Sequence, residues 1–563
     1  MDETNKQKEL AMSVNTAAIN SAPPVTGKVN WYIVLMTLSM FMTGASGMVV
    51  EYVLSTVSSY LNGSSVESFS LTIAIMMGMM GLGGWAQRFV SDKNIIDKFV
   101  YLELALAVVS AFAPIAVYAA FSYTPEHYQL VYYFFVMSIG FMVGFEIPFI
   151  TRANSTFTKR LSDNLSIVFA ADYVGAFVGA LIWVYFLLPH MNIIQIGFVL
   201  SALNFGVAAM TYAYFRRQTL FSQCKKVLFG MLLVATALIV GFNKVPEWAV
   251  VVDQKMYPDP IVTSKKTPYQ NLTLTHNPIN NDTRLYINGS TQFSSIDEVR
   301  YHEALIHIPA STLSEAPKRA LVLGGGDGMA TRELKKYDGI EIDLIELDRD
   351  MFTWSKTQEH LTKLNHNAFA DFKEIDINDY AAVRSALRDF RSDGGHRVFY
   401  TDANNFINAY VQNQVPPRYD IIVIDLPDPY NLAINKMYTL QFYNRLNALL
   451  NDDGVIVSQS TSPFHAPKVF ATIGKTMRAA GYYATPYRQN IPSFGEWGWW
   501  LAGKTPKKFE GLHTDTQYFT DELAKASFLF GKNEIIDDET LEVNSLMRPV
   551  LVRLYSKESW KVE

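Results

Sequence analysis

Residues 319–328 read RALVLGGGDG, and residues 329–348 continue MATRELKKYDGIEIDLIELD. A short apolar run ending in glycines, a polar segment with helical spacing and a second apolar run predict strand, tight turn, helix and strand. That is the start of a doubly wound α/β sheet. Gly324, Gly325, Gly326 and Gly328 allow a ligand to approach the strand's carboxyl edge closely, and Glu346 ends the second strand twenty-two residues beyond Gly324. An acid there commonly takes ribose hydroxyls. This pair of features fits nicotinamide enzymes and nucleoside-sulfonium enzymes equally. Asp327, inside the turn, favours the second, because a carboxylate repels a pyrophosphate and attracts a sulfonium or ammonium.

Further along, residues 419–431 read YDIIVIDLPDPYN. Ile421 to Ile424 predict a buried strand with Asp425 at its carboxyl edge, Asp428 three residues on, and Pro427 and Pro429 stiffening the turn. Two carboxylates at the mouth of a parallel sheet suit a metal site, a polar turn or an anionic pocket for a cation. The acidic glycine turn on a neighbouring strand favours the anionic pocket. Upstream, NLTLTHNPINNDTRLYINGSTQFSS (271–295) alternates apolar and polar residues between Asn, Pro and Gly, which predicts a small antiparallel sheet.

The chain has 563 residues, 49% hydrophobic and 18% charged, a mean close to that of a soluble protein. The mean conceals two halves. Up to Lys244 there are 14 Lys/Arg and 12 Asp/Glu, which leaves 34 and 41 for the rest. The first half holds seven apolar runs, at about 31–54, 69–89, 99–121, 130–150, 167–188, 193–215 and 227–243, which predict a transmembrane bundle. The last run is the shortest. Lys6, Lys8 and Lys28, then Arg88, Lys93 and Lys98, then Arg152, Lys159 and Arg160, then Arg216, Arg217, Lys225 and Lys226 fall in alternate connections. The loops between them (LNGSSVES, SYTPEHYQ, PHMN) carry no Lys or Arg. The expected site is therefore the cell (inner) membrane, crossed several times with the N-terminus in the cytoplasm. Seven crossings put the acidic half outside, whereas a re-entrant last run would keep it inside.

One cysteine, Cys224, excludes an intrachain disulfide framework, and the acidic second half argues against nucleic acid as a partner. The polar first thirty residues and long first apolar run do not fit a cleavable signal peptide. Within the bundle, Gly78, Gly81, Gly83 and Gly84 are expected to let helix backbones approach. Glu51, Glu103, Glu146 and Asp172 lie within about five residues of a predicted end, where the interface is in reach; a cation or amine path is the alternative.

Six motifs in order, YQN with Gln270, DEVRYHEAL with His302, VLGGGDG with Asp327, IELD with Glu346, DANNF with Asp402, and DLPDP with Asp425 and Asp428, resemble those of the spermidine synthases, the polyamine aminopropyltransferases. The resemblance covers about residues 265 to 505, and the whole chain is similar to the membrane-anchored bacterial members. It implies a Rossmann-like methyltransferase-type sheet and transfer of an aminopropyl group from decarboxylated S-adenosylmethionine, a co-substrate, to putrescine. Spermidine and methylthioadenosine would be the products. No metal and no separate cofactor is implied. By position, Asp425 would be the base and Asp428 would hold the diamine. Asp327 would bind the donor's aminopropyl nitrogen and the incoming chain, with His302 beside it. Glu346 would take the ribose, and Gln270 and Asp402 with Ala403 the thioadenosine part. A surface turn for Asp402 and an ordinary polar role for His302 are the plain alternatives.

The chain departs from the family at Leu426 and Pro427 inside DLPDP, at Asn431 and Leu432 after it, at Phe494 where many members have a tyrosine, and in an extra segment at about 371–397. These departures fall on the acceptor side. The expected partners are a small diamine, a nucleoside sulfonium and the lipid bilayer, in a homodimer or homotetramer as is usual in the family. The expected organisation is a tail (1–30), the bundle (31–244), a small β subdomain (245–317), the catalytic domain (318–505) and an extension (506–563), in which MRPVLVRLY reads as a closing strand. The alternatives are an S-adenosylmethionine-dependent methyltransferase on the same sheet, or a polyamine carrier whose aqueous half is a sensor.

Overall fold

The computed structural model describes residues 31–62, 65–155, 161–216, 224–375, 377, 395–412, 419–536 and 538–558. The N-terminal tail, Lys159, Arg160, Arg217 and most of the extra segment after Ile375 lie outside the described residues. Seven long helices carry the apolar runs: α1 (Trp31–Asn62), α2 (Ser65–Ala86), α3 (Ile95–Tyr123), α4 (Tyr128–Ser155), α5 (Leu161–Ile182, continued by a π-turn at Trp183–Leu187), α6 (Ile193–Arg216) and α7 (Cys224–Lys255). Each is long and apolar enough to cross a bilayer, as expected for a multi-pass membrane protein.

The helices correct the sequence reading in three places. The seventh run, expected to be the shortest, is a 32-residue helix, because the apolar stretch after Pro246 continues it to Lys255. Among the bundle glycines, a β-carbon at Gly83 would overlap the Phe141 carbonyl, but Gly78 and Gly81 face open space. Close approach at this contact is shared by Gly140 and Gly144 of α4, which meet the backbone of Met76 and Met80. The acids are also deeper than expected. Because α3 begins at Ile95 and α4 runs to Ser155, Glu103 and Glu146 lie well inside their helices and are fully buried.

The chain divides into two compact units. The first comprises most of the bundle. The second comprises Pro246–Glu563 together with Ser55–Leu71 and Tyr118–Tyr128, the ends of α1 to α4 that carry no basic residue. Within that second unit the Tyr60 and Tyr118 rings meet edge to face at 6.1 Å, and Asn271 Nδ2 donates to Tyr60 Oη at 3.3 Å.

The second unit holds two sheets. A four-stranded antiparallel sheet runs β1 (Ile261–Lys266), β2 (Asn271–Asn277), β3 (Asp282–Ile287) and β4 (Ser290–Ser294) in sequence order. The larger sheet comprises β5 (Arg319–Gly324), β6 (Glu341–Glu346), β7 (Lys373–Ile375), β8 (Arg397–Tyr400), β9 (Tyr419–Asp425), β10 (Leu450–Gln459), β11 (Tyr483–Ile491) and β12 (Gly495–Gly503). Its spatial order is β11-β12-β10-β9-β5-β6-β8-β7, parallel from β10 to β7, with β12 antiparallel to both β10 and β11. The chain starts at β5, winds out to β7 and β8, then returns to β9 on the other side. The β5/β9 boundary is thus a topological switch point, where open α/β sheets bind ligands.

Successive strand residues face opposite layers, so the alternating apolar residues of β5 and β9 feed two cores. Leu321, Leu323, Ile422 and Ile424 pack in one, and Ala320, Val322, Ile421 and Val423 in the other. Burying each large aliphatic side chain contributes about 1.5–3 kcal/mol, which fixes the register that puts Gly324 opposite Asp425. The tail also departs from expectation. MRPVLVRLY holds no strand; Val550–Glu558 is a helix. Leu551, Leu554 and Tyr555 recur at helical spacing and pack against the first core, which outweighs the β propensity of the valines.

Candidate active site

The glycine turn sits between two carboxylates. Gly324 has φ +85°, and a β-carbon on it would overlap the Asp425 carbonyl oxygen. A β-carbon on Gly326 would stand 2.5 Å from Glu346 Oε2. Only glycine lets β5, β6 and β9 end this close together. The following helix, Met329–Leu334, then opens with Asp327 Oδ1 accepting the Met329 N–H at 2.9 Å.

Asp425 lies at the carboxyl edge of β9 and accepts a hydrogen bond from the Tyr301 hydroxyl at 2.8 Å. Burial in the cleft pushes its carboxyl up to about 6, and the Asp327 charge adds to the rise, while His302 and the Tyr301 hydroxyl pull the other way. Asp428 is held at both oxygens: Gln459 Nε2 donates to Oδ1 at 3.1 Å and the Tyr555 hydroxyl to Oδ2 at 3.0 Å. Burial raises it as well, against those bonds. Glu346 is pushed up to about 7 by burial, with the Asp348 N–H, donating to its Oε1 at 2.9 Å, opposing. Among the described residues, no lysine or arginine pairs with Asp327, Asp425 or Asp428.

His302 stands on the helix Glu298–Ala310, its Nδ1 2.7 Å from Glu298 Oε2, and Glu298 is itself clamped by Arg332 at 2.8 and 3.0 Å. Burial pulls the imidazole down, but the Glu298 carboxylate, with Asp327 and Asp425 behind it, outweighs this and raises it. The raised imidazole favours the charged form of His302 beside Asp327 and Asp425. Asp327 is within electrostatic reach of His302, Glu346 and Asp425, so four of the expected residues are brought together.

The other expected residues sit further along the sheet edge. Gln270 Nε2 donates to Asp348 Oδ2 at 2.9 Å, two residues past Glu346, and Thr267 donates to the same oxygen at 2.6 Å. Asp402 follows β8, caps the helix Ala403–Gln412 by accepting the Asn404 N–H at 3.0 Å, and pairs with Lys436 Nζ at 2.6 Å. Ala403 is buried beneath it. Glu303, His307 and Glu333 cluster elsewhere in the unit, and the two acids are answered by cations and backbone donors. Arg332 lies 2.7 Å and Lys336 2.6 Å from Glu333, and Glu303 takes the Tyr518 and Phe519 N–H groups.

Sequence reasoning missed Tyr301, Gln459, Trp497 and Tyr555. Tyr301 adjoins His302 in the motif already noted. Trp497 Nε1 donates to Gln459 Oε1 at 3.2 Å, which fixes the amide so that its NH₂ faces Asp428. Phe494 stacks edge-on to Trp497 at 5.1 Å and lies 6.1 Å from Tyr301, an aromatic wall to which Phe494 itself brings no hydroxyl. Tyr555 arrives from 127 residues beyond its partner and carries no local signal. Tyr555→Phe is expected to weaken the binding of a cationic ligand at Asp428 by about ten- to a hundredfold, the value of one hydrogen bond to a charged group, while a ligand at Glu346 is unaffected. Titration calorimetry with each ligand would check this, and equal losses for both would contradict it.

Known proteins bear on the site. The family model described as "Spermine/spermidine synthase domain" matches residues 298–510. "Polyamine aminopropyltransferase 2" of Aquifex aeolicus is 35% identical over 93% of this chain and 98% of its own. "Polyamine aminopropyltransferase 1" of Streptomyces coelicolor is 32% identical over 98% of this chain and 99% of its own. "Polyamine aminopropyltransferase 1" of Ralstonia nicotianae is 31% identical over 96% and 98%. These matches run through the bundle as well as the aqueous half.

Proposed function

The chain belongs to the polyamine aminopropyltransferase family, and from that premise we propose that its cleft transfers the aminopropyl group of decarboxylated S-adenosylmethionine to putrescine, giving spermidine and methylthioadenosine. The observation that carries the substrate assignment is the set of three carboxylates, Asp327, Asp425 and Asp428, gathered at the switch point with no lysine or arginine pairing among the described residues. Anionic groups left in this state suit a cationic donor and a cationic acceptor.

The chemistry follows from the charges. An alkylammonium has its pKa near 10, so at neutral pH its nitrogen lone pair is blocked. Asp428, oriented by Gln459 and Tyr555, holds the distal ammonium. Asp425 accepts the proton of the reacting nitrogen as its lone pair attacks the carbon beside the sulfonium. The C–N bond forms, the C–S bond breaks, and the electron pair returns to sulfur, which leaves as a neutral thioether. Asp327 holds the donor's own ammonium, and Glu346 takes the ribose hydroxyls. Gln270, through Asp348, and Asp402 with Ala403 complete the nucleoside side. Methyl transfer and a purely sensory aqueous half, the two alternatives raised by the sequence, give way to the family assignment.

Asp425 must be ionised to act as a base. With donor saturating, kcat/KM for the amine is therefore expected to rise as pH climbs through about 6. Tyr301→Phe removes a bond that holds the carboxylate low, so this limb should move to higher pH. A pH–rate profile in which the limb stays in place, or moves down, would count against Asp425 as the base.

Parity supports one orientation. Seven spans favour the side opposite the N-terminus for the residues after Lys255, and the basic connections favour a cytoplasmic N-terminus. The grouping of the non-basic ends, Ser55–Leu71 and Tyr118–Tyr128, with the catalytic unit supports the same side. An alkaline phosphatase fused at the C-terminus is expected to be active, and a cytoplasm-dependent fluorescent fusion dark. The reverse pattern would place the cleft inside.

A further inference from the structure

Inside the bundle three carboxylates occupy one level. Glu103 of α3 is fully buried, and neither of its carboxylate oxygens has a hydrogen-bond partner. Glu146 of α4 is bonded by Thr43 of α1 and feels the charges of both Glu103 and Asp172. Asp172 of α5 packs one residue along α1, where a β-carbon on Gly44 would lie 2.7 Å from its Oδ1. Glu103 is eight residues after Ile95, Glu146 eight before Asn154 and Asp172 ten after Ser162, all counted from the helix ends at the basic connections. At 1.5 Å per residue this places the three about 12–15 Å inside the bundle.

The surroundings are polar without being paired. Ser39 and Ser46 lie four residues before and three after Thr43, on the same face of α1, and their buried hydroxyls also lack partners. Among the described residues, no lysine, arginine or histidine pairs with the three acids. Uncompensated carboxylates in a membrane interior are costly and mark a ligand or ion path by default. A single metal ion is a poor fit. Among the described residues, the His, Cys, Asp or Glu ligand atoms that converge within 4.8 Å in a group of three are those of Glu303, His307 and Glu333, in the other unit. Three carboxylates that do not all converge within that distance suit a ligand whose positive charges are separated along a methylene chain.

We propose that Glu103, Glu146 and Asp172 form a second, intramembrane site for a linear di- or polyammonium ion. The site itself rests on the bundle. The choice of amine rests on the proposed catalytic reading, since this is the ligand class that the cleft accepts and releases.

The test is equilibrium binding of radiolabelled putrescine to the full-length protein in lipid nanodiscs, with turnover measured on the same preparation. The wild type is expected to bind two equivalents. Glu103→Gln should bind one, as should the milder Asp172→Asn at a less buried position, each with turnover within about twofold of wild type. A wild type that binds only the equivalent lost in Asp428→Asn overturns the proposal. So does unchanged stoichiometry in both bundle variants, or proton uptake without a second amine. Were the second equivalent present and sensitive to Glu103 while no aminopropyl product formed, the catalytic reading would fall and this one would stand.

Discussion

Replacing Asp425 with asparagine is expected to cut turnover by about 10³-fold while leaving the affinity for the sulfonium donor within a few-fold of wild type. The asparagine keeps the size of the side chain and an oxygen for the Tyr301 hydroxyl, so the edge of β9 stays in place. What disappears is the lone pair that takes the proton and the charge that attracts the amine. The donor loses little, because Glu346 and Asp327, on the other two strand edges, remain. Single-turnover kinetics with donor binding measured in parallel separates the two effects. A drop smaller than about tenfold would mean that proton removal happens elsewhere.

Gly324→Ala should be as damaging by a different route. At φ +85° an L side chain is strained by about 1–2 kcal/mol, and the new methyl would overlap the Asp425 carbonyl and approach Leu426. Relief requires β5 and β9 to separate at the point where Gly324 is paired with Asp425. A loss of about 2–4 kcal/mol is expected, read as a clear fall in melting temperature, together with loss of turnover as Asp425 moves away from Asp327. Gly339→Ala is the control: it has φ +70° but open space around the β-carbon, so it should show the strain alone and keep its activity. Equal effects at the two positions would contradict the account of the close approach.

Much of this site was legible because its signals are local. The strand of Ile421 to Ile424 predicts the edge on which Asp425 stands, and the glycines before Asp327 predict the turn that faces it. Glu346 ends its strand in the same way. The pairing of these edges is not local, yet it follows once a doubly wound order is assumed. The acceptor side was harder to read. Gln459 ends a strand whose neighbours give no hint that its amide is aimed at Asp428 by Trp497. Tyr555 depends on a helix where MRPVLVRLY reads as a closing strand, and only the packing of Leu551 and Leu554 against the first core decides otherwise. In the bundle, hydropathy located the seven runs but not their ends. At their basic ends α3 and α4 run on past the apolar stretches, and so Glu103 and Glu146, near the predicted ends, proved to be interior.

The most direct measurement is the product of the reaction. Purified full-length protein, incubated with decarboxylated S-adenosylmethionine and putrescine, is expected to yield spermidine and methylthioadenosine in equal amounts by mass spectrometry, at a rate about 10³-fold lower in Asp425→Asn. Absence of an aminopropylated product with every diamine offered, or a methylated amine formed from the undecarboxylated donor, would contradict the account.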